Sequence, residues 1–479
     1  MDGKARSLQP DKREDLPHEE CGVVGIYTPG EQAARLAFFG LFALQHRGQE
    51  SAGIAASDGA RLRVHADMGL VSQAFREDDL QTLEGHLAIG HTRYSTTGSS
   101  KQCNAQPIVV SGVHGQLALG HNGNVINARE LRLQLQKDWD CTFTSTTDSE
   151  AIAYLLVNAP GQSWEERISY MMRTLQGAYS LVALAPDSVI GIRDPLGVRP
   201  LCLGKINGGW VIASESCALD HLGATYLREL APGEAVIIDK DGLRSYRWPG
   251  VDGRRALCVF EIIYFARPDS VLDGKLLYAT RKAMGAQLAR EHPVDADLVI
   301  GIPDSATAAA VGYSQESCIP FSEGLVKNRY VGRTFIEPDQ RIRDMGVRLK
   351  FNPLPEVIAG KRLVVVDDSI VRGTTTPHVV RLLRHAGAKE VHMRVCAPPI
   401  AWPCHFGVDM ATRRELLAAN KSIEEIRRFI GADTLGYLSI PGLLKTVGGL
   451  EGGFCSACFT GQYPIPVQLE MDKLALENM

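Results

Sequence analysis

One stretch limits the possible folds more than any other: Leu363-Val-Val-Val-Asp367-Asp368-Ser-Ile-Val-Arg-Gly373-Thr-Thr-Thr376. Its β-branched apolar opening is the pattern of a strand buried on both faces, as inside a parallel sheet. Two adjacent carboxylates follow, then a short loop rich in Gly and hydroxyl side chains. From Pro377 to Ala386 apolar residues recur at helical spacing, and Gly387 is a suitable stop. A strand that runs through a loop into a helix N-terminus makes an anion site, because free backbone N–H groups and the helix dipole point at the same place. The acidic pair ahead of the loop suits a ribose diol, a Mg2+ ion, or both. The chain has no G-x-x-x-x-G-K-[ST] and no G-x-G-x-x-G here, which excludes a Walker loop and a dinucleotide fingerprint. The bland alternative is an ordinary strand-to-helix turn in an α/β core.

At 479 residues the chain exceeds one ordinary domain, and two of roughly 200–250 residues are expected. A hydrophobic share of 45% and a charged share of 22% are those of a globular protein. The net charge of −4 leaves no electrostatic footprint for nucleic acid. No apolar run approaches the roughly 18–20 residues that span a bilayer. Met1 to Glu20 is polar and charged without an apolar segment, so it is no secretory signal. A cytoplasmic location is therefore expected, where disulfides are rare. The 11 cysteines must then serve as fillers, nucleophiles or metal ligands.

After the polar leader comes Glu19-Glu20-Cys21-Gly-Val-Val-Gly-Ile26-Tyr27, a strand pattern preceded by a cysteine. Alone, such a cysteine reads as core. Further along lie Gln45-His-Arg-Gly-Gln-Glu-Ser-Ala-Gly-Ile54, Gly90-His-Thr-Arg93-Tyr-Ser-Thr96, Gly120-His-Asn122-Gly123-Asn124 and Thr147-Asp148-Ser149-Glu150. In this order the segments closely resemble the glutamine amidotransferase domain of the N-terminal-nucleophile hydrolases. The resemblance implies an α-β-β-α sandwich and removal of residues 1–20, a propeptide, so that Cys21 becomes the first residue. An unassisted thiol is only a few per cent ionised near neutral pH. A free α-amino group, with a pKa of about 7.7–8.0, can act as its base. By the same resemblance Arg93 holds the glutamine α-carboxylate by a fork of hydrogen bonds, and Asp148 pairs with the α-ammonium. Asn122 (side chain) and Gly123 (backbone N–H) form the oxyanion hole. Helical spacing from Thr147 to Asn158 puts Asp148 near a helix start. The Pro/Gly stretch Trp248 to Gly253 reads as a boundary, with the amidotransferase domain over 21–250 and a second domain over 255–466, followed by a tail at 467–479.

Leu298-Val-Ile-Gly-Ile-Pro303-Asp304-Ser305 and Val391-His-Met-Arg-Val-Cys396 are further buried-strand patterns around the central one. Strands alternating with helices predict a doubly wound, mostly parallel sheet, with ligands at the carboxyl ends of the strands. The string at 363–376 closely resembles the phosphoribosyl-pyrophosphate (PRPP) loop of type I phosphoribosyltransferases. By that resemblance Ser369, Ile370, Val371, Arg372, Gly373, Thr374 and Thr375 cradle the 5-phosphate. Asp367 and Asp368 hold the ribose hydroxyls directly or through Mg2+, and Ser305 is a further contact to the metal or the pyrophosphate. The basic segment Lys327-Asn-Arg329-Tyr-Val-Gly-Arg333-Thr-Phe-Ile336 resembles the loop that closes over PRPP, with Lys327 and Arg333 meeting the leaving group and closure excluding water. Tyr330 and Phe335 are candidates for lining an ammonia passage.

Cys455-Ser-Ala-Cys458 is a C-x-x-C pair that Cys258 and Cys404 can complete to four thiolates. Spacing does not choose between Zn2+ and a [4Fe-4S] cluster. One branch of the glutamine PRPP amidotransferases combines a cleaved leader with a [4Fe-4S] cluster on cysteines at these motif positions. The resemblance to that branch therefore implies the cluster. Cys103, Cys141, Cys202, Cys217, Cys318 and Cys396 remain as fillers.

Together the two halves imply that glutamine-derived ammonia displaces pyrophosphate from PRPP to give 5-phosphoribosylamine, the committing step of purine synthesis. The family resemblance also implies a homotetramer inhibited by purine nucleotides. Other enzymes share the glutaminase half, but neither sugar-isomerase domains nor an S-G-G-x-D-S loop is present. A non-catalytic PRPP sensor is the rival from another class, and it has no use for Cys21, Arg93, Asn122 and Asp148.

Overall fold

The computed structural model describes residues 21–94, 98–328, 350–410, 412–449, 452–467 and 476–477. By contact these form two compact units. One holds the described residues of 21–281, 401–413 and 444 onward; the other holds those of 282–400 and 414–443. The change of unit thus falls at 281/282, past the Pro/Gly stretch at 248–253, and the chain returns to the first unit twice.

The first unit is built on two antiparallel sheets. Seven strands run in the order Thr225–Glu229, Cys202–Ile206, Gly209–Ala213, Gly22–Tyr27, Leu87–Arg93, Ser51–Ser57, Leu62–Met68. Six run in the order Gly242–Arg247, Glu234–Asp239, Ser188–Arg193, Gly177–Ala185, Gly115–Val125, Ile108–Gly112. Both faces of the central strands are apolar, so alternation sorts the side chains between two layers. Val23 and Tyr27 pack with Val182, Leu184, Val189 and Val236 of the other sheet. Val24 and Ile26 face the opposite way, onto Ala34, Ala37 and Leu41 of the helix Ala33–Ala43. In the second sheet Leu181 and Ala183 turn outward onto Ile152, Leu155 and Leu156 of the helix Asp148–Asn158 and Ile168 of Trp164–Thr174. The result is the α-β-β-α sandwich the resemblance implied.

The second unit centres on a four-stranded parallel sheet, ordered Leu298–Gly301, Arg362–Asp367, Glu390–Val395, Thr434–Tyr437. Leu363 and Val365 pack beneath Val379, Val380 and Leu383 of the helix Thr376–His385 and Ile426 of Ile423–Ile430. Val364 and Val366 point the other way and are buried as well, as a parallel sheet covered on both faces requires. The helix Thr307–Ser317 packs on the first two strands.

Candidate active site

Strand register brings the first group of residues together. Gly22 pairs with Thr92, so Cys21 reaches the end of Leu87–Arg93. There its sulfur donates to the Tyr94 carbonyl at 3.3 Å and accepts from the Tyr94 N–H at 3.4 Å. The Gln45–Ile54 segment comes up alongside. A Cβ on Gly48 would lie 2.6 Å from the Thr92 carbonyl carbon and 2.7 Å from the Arg93 nitrogen, so only glycine permits this approach. Arg93 is buried; its guanidinium donates to the Ser99 carbonyl at 3.2 Å and meets Glu50 at 3.3 Å.

Asn122 and Gly123 lie within the strand Gly115–Val125 rather than in a hairpin turn, opposite Ser180 and Tyr179. Gly123 has φ +143°, and a Cβ there would stand 2.0 Å from the Ala178 carbonyl oxygen. The Asn122 side-chain nitrogen is buried with no hydrogen-bond partner among the described residues. Such an orphan donor is unfavourable unless something else accepts from it. Asp148 begins its helix as expected and accepts from the Val125 N–H at 2.9 Å, with His121 at 3.6 Å. Burial opposes its charge, but His121 and the Val125 N–H together hold its carboxyl below the ordinary carboxylate value. Cys21, Arg93, Gly123 and Asp148 line one concavity, with Tyr94, Gln106, His121, Thr147 and Ser149. This cavity offers a cationic end, an anionic end and a sulfur. Burial pushes the Cys21 thiol up to about 11, against the Tyr94 N–H and the charge of Arg93.

Sequence reasoning assigned no role to Tyr94, His121, Gln106 or Arg47. Gln106 accepts from the His121 N–H at 2.9 Å and donates to the Ser149 hydroxyl at 3.0 Å, linking two segments of the site. Arg47 is buried between Glu215 and Glu261, the latter at 2.6 Å. Tyr94 directly follows Arg93 in the sequence, but its backbone meets Cys21 only through the pairing of two distant strands, which no local pattern carries.

The second group sits at the carboxyl end of the parallel strand Arg362–Asp367. Asp367 and Asp368 are both buried. Asp368 accepts from the Ser369 hydroxyl at 2.6 Å and from the Ser305 hydroxyl at 2.5 Å, so the structure joins Ser305 to the acidic pair. Backbone N–H groups of Cys396 and Ala397 donate to the Asp367 and Asp368 carbonyls at 2.9 and 2.8 Å, fixing the turn. Ile370 and Val371 anchor the loop in the core, while Thr374 is exposed. Thr375 precedes the helix and its carbonyl accepts from Val379 at 3.1 Å. Arg372 pairs with Glu415 at 3.0 Å, and Lys327 with Asp304 at 3.0 Å. Arg333, with Tyr330 and Phe335, lies outside the described residues.

A third group collects in the first unit. Ala256–Cys258 pairs in parallel with Gly453–Cys455, placing Cys258 beside Cys455. The carbonyl of Cys458 accepts from Ala401 and Trp402, both at 3.1 Å, which draws in the Cys404 segment. Burial and then the neighbouring Cys258 push the Cys455 thiol up to about 12, and burial raises Cys258 to about 11. Among the described residues no three His, Cys, Asp or Glu converge tightly enough for a single metal ion. Cys141, Cys202, Cys217 and Cys396 are buried, as fillers should be. Cys103 and Cys318 are exposed, which corrects the expectation for those two; Cys103 stands in a surface turn and Cys318 caps the end of the helix Thr307–Ser317 in a left-handed conformation.

Two domain families match this chain: a glutamine amidotransferase domain over residues 91–221 and a phosphoribosyl transferase domain over 269–400. The amidophosphoribosyltransferase of Synechococcus elongatus is 51% identical, covering 98% of this chain and 96% of its own length. That of Archaeoglobus fulgidus is also 51% identical, over 93% and 98%. Among solved structures, a glutamine PRPP amidotransferase from B. subtilis complexed with ADP and GMP matches with a TM-score of 0.88 at 45% identity, over 94% of this chain and 99% of that one. Likeness of this degree along nearly the whole of both chains goes well beyond a shared domain type, and the chain belongs to the amidophosphoribosyltransferases.

Proposed function

We propose that Cys21 hydrolyses glutamine and that the Asp367–Asp368 loop holds PRPP while the released ammonia displaces its pyrophosphate, giving 5-phosphoribosylamine for purine synthesis. One observation carries the reading of the first site: Cys21, Arg93, Gly123 and Asp148 line one concavity, so a single glutamine can meet all four. Arg93 takes the α-carboxylate and Asp148 the α-ammonium, each charge meeting its opposite. The Cys21 sulfur attacks the side-chain amide carbon, and Asn122 and Gly123 donate to the oxyanion. The α-amino group of Cys21, free once residues 1–20 are removed, takes the thiol proton and passes it to the departing ammonia. Water then cleaves the thioester to glutamate.

At the second site Asp367 and Asp368 hold the ribose hydroxyls and the Ser369–Thr375 loop the 5-phosphate. Ammonia attacks the anomeric carbon as the bond to pyrophosphate breaks, and the Lys327 ammonium offsets the charge gathering on the leaving oxygens. The acidic pair and Ser305 suit Mg2+, which needs only one or two carboxylates besides substrate phosphates; when bound it offsets the charge on pyrophosphate.

The cysteine quartet suits a [4Fe-4S] cluster. Cys258, Cys404, Cys455 and Cys458 come from three separate segments, and desolvation followed by the neighbouring sulfurs keeps Cys258, Cys455 and Cys458 from ionising unless a cation accompanies them. His405, next to Cys404, is buried and neither ring nitrogen has a partner among the described residues, so an N–H is available to such a group. When bound, a cluster joins those segments as a structural clip. We read the enzyme as a cytoplasmic homotetramer inhibited by purine nucleotides. The nucleotides ADP and GMP in the B. subtilis relative support the inhibitor class, and no helix among the described residues is long and apolar enough to cross a membrane.

The test is glutamate release by anaerobically purified protein with and without Mg2+-PRPP. Strong stimulation, abolished in Cys21→Ala, is the expected outcome. Activity indifferent to PRPP would mean the sites are uncoupled. Silence in protein shown by mass to begin at Cys21 and to retain iron would favour a PRPP sensor.

A further inference from the structure

A carboxylate from a distant part of the chain ties together the segments that carry the glutamine grip. Glu477 accepts from the Ser99 backbone N–H at 2.8 Å, the Ser99 hydroxyl at 2.7 Å and the Thr146 hydroxyl at 2.7 Å, and it pairs with Lys101 at 2.9 Å. Its neighbour Leu476 is buried in the apolar layer outside the six-stranded sheet. Asn104 closes the same junction from the other side. Its amide donates to the Ser99 carbonyl at 2.8 Å and the Thr146 hydroxyl at 2.9 Å, and its oxygen accepts from the Thr146 N–H at 2.9 Å.

Both tied segments lead directly into the site. The Ser99 carbonyl accepts from Arg93 at 3.2 Å. Thr146 stands two residues before Asp148, whose helix it precedes. The Thr146 hydroxyl, the Lys101 ammonium and the Ser99 N–H hold the Glu477 carboxyl well below the usual carboxylate range, so it stays charged at working pH. Without Glu477 two hydroxyls and a backbone N–H lose their common acceptor, and among the described residues the side chain of Asn104 is what still bridges Ser99 to Thr146.

We propose that Glu477 is a positioning residue for glutamine: it sets the spacing between Arg93 and Asp148. The proposal rests on the reading of those two residues given above. An α-amino acid carries its ammonium and carboxylate on one carbon, so the two grips must stand a set distance apart, and sub-ångström drift is felt in binding. The Glu477 contacts lie outside the reacting atoms, which predicts an effect on KM rather than on kcat.

The test compares Glu477→Ala, Glu477→Gln, Arg93→Lys and Asp148→Asn in full-length processed enzyme. Glu477→Ala should raise KM for glutamine about tenfold with kcat within about twofold, while synthesis from ammonium chloride, which bypasses this site, stays at the parental rate. Glu477→Gln keeps an acceptor oxygen and should recover most of the KM, losing about two- to threefold with the Lys101 pair. An unchanged KM in Glu477→Ala alongside a raised one in Arg93→Lys and Asp148→Asn overturns the proposal alone. An unchanged KM in all of them overturns the reading of the grip, and the proposal with it. A parallel fall in ammonium-dependent synthesis in both Glu477 variants would mean general destabilisation, which also overturns it.

Discussion

Cys21 of the glutamine site and His91, in the strand Leu87–Arg93, are buried residues whose protonation states are set by their surroundings. Cys21 loses more from burial than it gains from Arg93 and the Tyr94 N–H, and its thiol lies near 11. In protein that keeps residues 1–20, iodoacetamide labelling of Cys21 should therefore rise about tenfold per pH unit from pH 7 to 10, following the thiolate fraction. Mass spectrometry of the labelled peptide reads the rate, and a plateau below pH 9 would contradict it. His91 donates to the His121 carbonyl at 3.0 Å, and burial drives its pKa down to about 3. In the unfolded chain it titrates at about 6.5. Between those values the unfolded state binds the extra proton, so stability is full above about 6.5 and falls with pH, by up to about 1.4 kcal/mol per unit. Urea melts at pH 7, 5.5 and 4.5 should show this fall, and His91→Asn should flatten it.

At the scale of elements, the strand, loop and helix around Asp367 were legible because each signal is local: a β-branched run, polar turn residues, then helical periodicity. The backbone demand at Gly373 was not. Gly373 sits at φ +71°, and a Cβ there would come within 2.7 Å of a Leu417 methyl and 3.0 Å of the Phe429 ring. Both neighbours come from later segments that no local pattern relates to the loop. Gly373→Ala should strain the backbone by about 1–2 kcal/mol and raise KM for PRPP about tenfold or more. Initial rates over a PRPP series check this, and a KM unchanged within twofold would show that the loop relaxes at no consequence.

For the whole molecule, the cluster proposed on the four motif cysteines would act through the segments it joins. All four lie in the unit that holds Cys21, not in the one that holds the parallel sheet. Cys455→Ser removes a sulfur beside Cys258. It should abolish the iron content and visible colour of anaerobically prepared protein and lower its melting temperature by several degrees, as loss of a structural metal group does. Iron assay and calorimetry read both, and zinc in place of iron in the parent would redirect the reading to a zinc clip. Exposing the parent to air should lower its melting temperature in the same direction.

The motifs around Cys21, Arg93, Asn122, Asp148 and Asp367 and the parallel sheet were readable from the chain itself, while the α-β-β-α layering followed only from the family resemblance. Strand alternation and β-branched runs are written in neighbouring residues, and the resemblance covered both halves. Tertiary structure alone decided which groups meet. Register set Tyr94 on both sides of the Cys21 sulfur, and close packing made Gly48 and Gly123 indispensable. The contacts of Glu477 with Ser99 and Thr146 span 378 and 331 positions of sequence. Periodicity describes what a residue does for its own element, whereas a partner hundreds of residues away is chosen only when the layers close.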